Sequence, residues 1–279
     1  MRRALRWWFA PPFSPSVSFN VAIDFGAARA YLAQLRQQGV PATVHHLLVA
    51  AIGRVLAAHP EANARLVGKR VVRVDEVALA MPVNLVGHPS EALRETSLAF
   101  LRGIDRLSLS RIVERARTRV ASERQGRASQ PVLRALLRLG EHLPDPIFDG
   151  TLDLLAAGLD HPRLARAFHR LVPMSTALTN PGAAIPADDL RRSGMLFRGA
   201  SLEVPSRPLH FSTLWGISTV QDEVVARDGV PEVRPLLPVV LVFDHRVFDG
   251  VVAGRLLTGL AALLQAPAAH FGARGEAGG

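Results

Sequence analysis

The sequence predicts an α/β protein, and three observations carry that expectation. Stretches with a two-residue apolar period alternate with stretches of helical period along most of the chain. The apolar run LLPVVLVF at 236–243 is short and rich in β-branched residues, which fits a strand buried on both faces. Over 279 residues, a hydrophobic content of 48% is ample for a substantial core. No internal repeat or long linker breaks the pattern, so one domain is expected over 1–265. The small-residue stretch APAAHFGARGEAGG at 266–279 reads as a frayed, disordered tail.

The elements follow in order. SVSFNVAID at 16–24 places Val17, Phe19, Val21 and Ile23 at alternate positions, the period of a strand with one buried face. The period then changes: Ala28, Tyr31, Leu32 and Leu35 recur at helical spacing, with Asp24 placed to cap the helix and Gly39 to stop it. A second helix starts at Thr43 and ends near His59, because Pro60 disfavours helical backbone before it. Strands are predicted at 70–74, 77–85 and 98–101, and Ser108 caps a helix that gathers Leu109, Ile112, Val113, Ala116 and Val120 on one side. Residues 124–173 hold three short helical patterns, near 131–142, 151–158 and 162–171, and read as a helical insertion. Strand character returns over 209–243, where Leu209, Phe211, Thr213 and Trp215 alternate and Asp228-Gly229 supplies a hairpin turn. An apolar helix, Val251 to Leu264, follows.

Composition excludes several functions. With no cysteine there is no disulfide, thiolate metal site or cysteine nucleophile, and the absence mildly favours the cytoplasm. Net charge is +9, carried by arginine with Lys69 the one lysine. The arginines are scattered, densest between Arg102 and Arg138, without the alternating aromatics of a single-strand binder; no nucleic-acid partner is expected. Such a field equally attracts a phosphate-bearing small molecule such as coenzyme A. The N-terminal MRRALRWWFAPPF is interrupted by Arg6, Pro11 and Pro12 and reads as an arm, not a signal, and no stretch is long and apolar enough to predict a membrane span.

The chemistry concentrates in DHRVFDG at 244–250, where a strand gives way to a helix. Taken alone, the stretch has a purely structural explanation: Asp249 caps the helix, Gly250 serves the turn, and His245 is a hydrogen-bonded rim residue. No metal is expected, because His245 and Asp249 have no third ligand nearby other than Asp244.

The longer stretch VVLVFDHRVFDGVVAGRLL, however, resembles the C-terminal HxxxDG signature of the dihydrolipoamide acyltransferases, the catalytic subunits of 2-oxoacid dehydrogenase complexes; chloramphenicol acetyltransferases share the pattern more distantly. VHHLLVAAIGRVLAAHPEANARLVGKRVVRVDEVALAMPVNL resembles the family's helix, P-E-x-N segment and strand pair, and FLRGIDRLSLSRI its strand, charged turn and helix. ALTNPG at 177–182 resembles the serine-bearing loop, with Thr179 at the hydroxyl position and Gly182 at the family glycine. The resemblance implies the CoA-dependent acyltransferase (chloramphenicol acetyltransferase-like) fold, a mixed β-sheet flanked by helices, assembled as a homotrimer or as larger sets of trimers with sites between subunits. It implies His245 as general base, Thr179 of a neighbouring chain as donor to the oxyanion, and Asp249 as support for the histidine loop. In chloramphenicol acetyltransferases an arginine near the N-terminus pairs with this aspartate, and the resemblance offers that role to Arg2, Arg3 or Arg6. An imidazole suits a general base because its ordinary pKa, about 6.5, lies close to neutral pH.

Two departures limit what is inherited. The sequence opens directly on the catalytic region, which predicts no lipoyl group on this chain, and the 124–173 stretch is longer than in relatives. The functional expectation is an acyltransferase that moves an acyl group between a coenzyme A thioester and an acceptor thiol, hydroxyl or amine, lipoamide of another protein being one candidate. The alternative is a non-catalytic trimeric scaffold that retains the fold.

Overall fold

The computed structural model describes residues 15–67, 69–84, 96–125, 142–172, 174–185, 187–201 and 210–279, together with 135, 139, 140 and 203. Its centre is a mixed sheet of β1 (Ser16–Asp24), β4 (Ala78–Asn84), β5 (Thr96–Arg102), β6 (Thr176–Thr179), β7 (Thr213–Ile217), β8 (Gln221–Arg227) and β9 (Val230–Asp244), in the order β1-β9-β7-β6-β4-β5 with β8 paired to β9. The contacts of β6 with β4 and β7 are parallel and the remaining pairings antiparallel. A separate hairpin joins β2 (Ala64–Val67) to β3 (Arg70–Arg73). The strand β2 was not expected from the sequence: four residues with Arg65 in their midst give no apolar alternation.

Two-residue periodicity divides the sheet's faces. Leu237, Val239, Leu241 and Phe243 of β9, with Leu178 and Trp215, enter a core covered by α1 (Gly26–Gln37), α2 (Val44–Ala58), α3 (Leu109–Arg124) and α7 (Gly250–Gln265). Val240 and Val242 point the other way, into a smaller cluster with Ala80, Phe100, Leu214 and the partly buried Phe168. Phe168 belongs to α5 (Pro162–Leu171), which follows α4 (Asp145–Leu159) and precedes the short α6 (Ala187–Ser193). The C-terminal half of β9 is therefore buried on both faces, which is why 236–243 is uninterruptedly apolar. Each such side chain contributes about 1.5–3 kcal/mol by leaving water.

Local signals act largely as expected. Thr43 accepts the His46 N–H while the His46 ring accepts the Thr43 N–H, a reciprocal cap for α2, and Ser108 caps α3 through the Arg111 N–H. Asp228 and Gly229 both take left-handed backbone, φ 51° and 78°, and close the β8–β9 hairpin. The helical expectations near 151–158 and 162–171 become α4 and α5, whereas most of 131–142, and Leu209, lie outside the described residues.

Two expectations need correction. Asp24 does not act as the N-cap: it closes β1, accepts the Gly26 N–H at 2.9 Å and pairs with Arg234 at 2.7 Å, and Phe25 occupies the cap position without a side-chain bond. The segment 266–279 is not frayed. A short helix, α8 (Pro267–Phe271), buries Phe271 completely, and Tyr31 donates to the Gly272 carbonyl at 2.7 Å. The Arg54 guanidinium lies 4.4 Å over the Phe271 ring and donates to the carbonyls of His270, Ala277 and Gly278. A small-residue composition hides one aromatic anchor and the carbonyls that Arg54 gathers.

Candidate active site

The HxxxDG stretch forms the turn between β9 and α7. Asp244 ends the strand, its N–H donating to Ser212 and its carbonyl accepting from Val247 at 2.9 Å, so His245 is the first residue of a tight turn. The His245 N–H donates to the Pro15 carbonyl at 3.0 Å, tying the turn to the entrance of β1. Below it lies a group of aromatics: Phe248 stacks on Phe243 with centroids 5.0 Å apart, and Phe19 meets Phe243 edge-on at 5.5 Å. The His245 ring lies nearly parallel to Phe243 at 6.0 Å and is exposed. The backbone is thus held from below and from the side while the imidazole remains open to a reactant.

Asp249 has the role its position suggests. Its Oδ1 accepts the N–H groups of Val251 and Val252 at 3.0 and 3.1 Å and caps α7. Replacing it with alanine is expected to cost about 1 kcal/mol, read as a lowered Tm, whereas Asp249→Asn retains the cap and most of the stability. Arg2, Arg3 and Arg6, the expected partners of Asp249, lie outside the described residues.

Asp244 is the more heavily used carboxylate. It is 1% exposed, and its Oδ2 receives His210 Nε2 at 2.8 Å and Arg246 Nη2 at 2.7 Å, while its Oδ1 receives the Arg246 N–H at 2.9 Å. His210 Nδ1 accepts the Leu66 N–H at 2.9 Å, so that ring's proton sits on Nε2 and is donated to Asp244. Burial works to raise the Asp244 pKa, but the bonds from His210 and Arg246 prevail and hold the carboxyl well below its ordinary 3.8. A depressed folded pKa contributes stability that is complete above about pH 4 and is lost as pH falls through the folded value. Asp244→Asn is therefore expected to cost about 2 kcal/mol at neutral pH, a difference from wild type that closes in acid; thermal unfolding at pH 7 and below pH 3 checks both.

Thr179 is half-buried at the end of β6, opposite Gly216 of β7. The following turn lies hard against β7: a Cβ on Gly182 would come within 2.6 Å of the Ser218 Cα, so only glycine lets this loop approach. One chain does not bring Thr179 and His245 together. Thr179 is level with Gly216 and so with Val240, and His245 lies five residues beyond Val240, roughly 16 Å along the strand direction at the usual rise and two strands to the side. A site containing both groups needs two chains.

His210, Arg246 and Arg65 were not singled out as site residues from the sequence. His210 precedes β7 with no local motif around it; its link to Asp244 follows only from the register that aligns Thr213 with Phe243. Among the described residues no cluster of three or more potential metal ligands exists, and no helix is long and apolar enough to cross a membrane.

Residues 211–271 match the family model of the 2-oxoacid dehydrogenases acyltransferase (catalytic domain). The chain is 33% identical over 69 residues, 25% of its length, to the dihydrolipoyllysine-residue succinyltransferase component of the 2-oxoglutarate dehydrogenase complex of Rickettsia bellii; the match spans 17% of that relative. Among solved structures it resembles a dihydrolipoamide acetyltransferase of Azotobacter vinelandii, with TM-score 0.64 and 19% identity over 96% of this chain and 87% of that one. A probable dihydrolipoamide acetyltransferase of Listeria monocytogenes gives TM-score 0.62 and 14% identity over 90% and 85%. A truncated catalytic core of the 2-oxoacid dehydrogenase multienzyme complex of Thermoplasma acidophilum gives 0.61 and 15% over 96% and 95%. At these identities the structural likeness establishes the fold, that of the dihydrolipoamide acyltransferase cores, and the HxxxDG turn falls inside the segment that also matches in sequence.

Proposed function

We propose that this chain is an acyltransferase of the 2-oxoacid dehydrogenase type, moving an acyl group between a coenzyme A thioester and an acceptor thiol, hydroxyl or amine, with His245 as general base. The observation that carries the proposal is the HxxxDG turn itself, an exposed imidazole on a backbone fixed by aromatic stacking and a helix cap, within the segment that matches the family model. The catalytic mechanism of the Azotobacter vinelandii enzyme has been investigated at a serine, a histidine and an asparagine, the last two four residues apart. Thr179, His245 and Asp249 are the corresponding polar groups here, with threonine for serine and aspartate for asparagine.

In the proposed reaction the acceptor approaches the thioester carbonyl while the His245 ring takes its proton. Attack gives a tetrahedral oxyanion, which the Thr179 hydroxyl of a neighbouring chain stabilises by donating a hydrogen bond. Collapse breaks the carbon–sulfur bond, and the imidazolium returns its proton to the leaving thiolate, so that the cycle conserves protons. The distance between the two groups within one chain and the multienzyme core among the structural relatives both favour an oligomer, a homotrimer by family resemblance. Asp249 supports the turn and takes no part in proton transfer.

The test is release of free coenzyme A thiol from a panel of short, branched and dicarboxylic acyl thioesters, with dihydrolipoamide, small alcohols and amines as acceptors. Turnover above the uncatalysed rate with at least one donor and acceptor is the expected result. No turnover across the panel, in a preparation shown to be oligomeric and folded, overturns the enzymatic reading in favour of a scaffold.

A further inference from the structure

A cavity of about 340 Å³ opens beside the first residue of β4 and the last of β5, the same end of the sheet as the His245 turn. Five guanidinium groups line it, Arg65, Arg73, Arg102, Arg166 and Arg170, against the carboxylates Asp75 and Glu76. Arg102 is bound to Glu76 at 2.6 Å, which leaves four cations facing one acid. Arg166 and Arg170 come from α5, so the helical insertion supplies one wall.

Arg65 is the unusual member. It is 2% exposed, no carboxylate pairs with it among the described residues, and its buried Nε has no hydrogen-bond partner. Burial draws its pKa down to about 10, so it stays charged at neutral pH. The adjacent His169 adds no second cation: burial, then Arg65 and His210, lower its pKa to about 3 and keep it neutral. A desolvated guanidinium without an anion is among the costliest groups a fold can hold, and its planar fork matches a carboxylate or phosphate oxygen pair.

We propose that this cavity is a binding site for a small oxyanion, a phosphate or carboxylate group, with Arg65 as its buried anchor and Arg73, Arg166 and Arg170 as its rim. The ligand sits close to the reactive turn. Leu66, the residue after Arg65, donates its N–H to His210, which bonds Asp244, the residue before His245. The proposal goes beyond the acyltransferase reading and does not depend on it, since binding is measured without turnover.

Thermal unfolding and calorimetric titration of the full chain with inorganic phosphate, and separately with succinate, each against chloride at equal ionic strength, test it. Saturable stabilisation by at least one of the two anions is expected; a response to phosphate alone assigns a phosphate group, and to succinate alone a carboxylate. Arg65→Met is expected to fold with an unchanged or raised Tm, because it removes an unpaired buried charge, and to weaken binding at least roughly 30-fold. The double variant Arg73→Gln/Arg170→Gln, on exposed positions, is expected to weaken binding while leaving Tm unchanged. Neither anion acting beyond chloride, or Arg65→Met binding as the wild type does, overturns the proposal.

Discussion

Replacing His245 by alanine is expected to lower the rate of acyl transfer by about 10²–10⁴-fold, the usual contribution of a positioned general base, while the protein remains folded. The two outcomes are separable because of how the turn is built. The His245 ring is exposed and only its backbone N–H, which alanine retains, is bonded to Pro15. The anchors that hold the turn are Phe243, Phe248, Asp244 and the Asp249 cap; the substitution replaces none of them and removes only the outer ring contact to Phe243 at 6.0 Å. An exposed position of this kind changes stability by about 0.5 kcal/mol or less. Thiol release and thermal unfolding on the same samples decide the matter: loss of turnover with Tm preserved supports the assignment, and full turnover in the variant removes His245 from the chemistry.

Why the histidine could be found from sequence while its surroundings could not is a matter of range. The strand, the turn and the helix cap at 236–264 are local: apolar residues on both faces of β9, Gly250 at the start of α7 and Asp249 accepting the N–H groups two and three residues ahead all lie within one short window. The same holds for Ser108, Thr43 and the Asp228-Gly229 hairpin. The network behind the turn is not local. His210 reaches Asp244 across 34 positions and Leu66 reaches His210 across 144, and no periodicity in the sequence encodes either. Arg65 gave no sign of being buried, since an arginine in a four-residue segment reads as a solvated surface. The C-terminal segment failed for a related reason, as Arg54 holds the Phe271 ring and Tyr31 the Gly272 carbonyl, both from more than two hundred residues earlier. Local chemistry was legible and long-range pairing was not.

The location of Thr179 makes the most demanding prediction. Thr179→Ala is expected to reduce turnover by about 10²–10³-fold, the effect of deleting one oxyanion donor, and Thr179→Ser to retain most of it because the hydroxyl survives. The partner of that hydroxyl is the sharper question. Within one chain the register sets Thr179 level with Val240, far along β9 from the His245 turn, so a working pair takes its threonine from one chain and its histidine from another. Mixing can detect this. Thr179→Ala chains still carry His245, and His245→Ala chains still carry Thr179. When the two inactive variants are unfolded together and reassembled in equal amounts, each intersubunit site draws one group from each of two chains, and roughly a quarter of the sites in randomly assembled cyclic oligomers regain both. Activity should return to about that fraction of wild type, and should not return when either variant is reassembled alone. A mixture that stays inactive although mass measurement shows mixed oligomers means that the two groups never meet across a subunit boundary, and the loss in Thr179→Ala then comes from altered structure and not from a missing oxyanion donor.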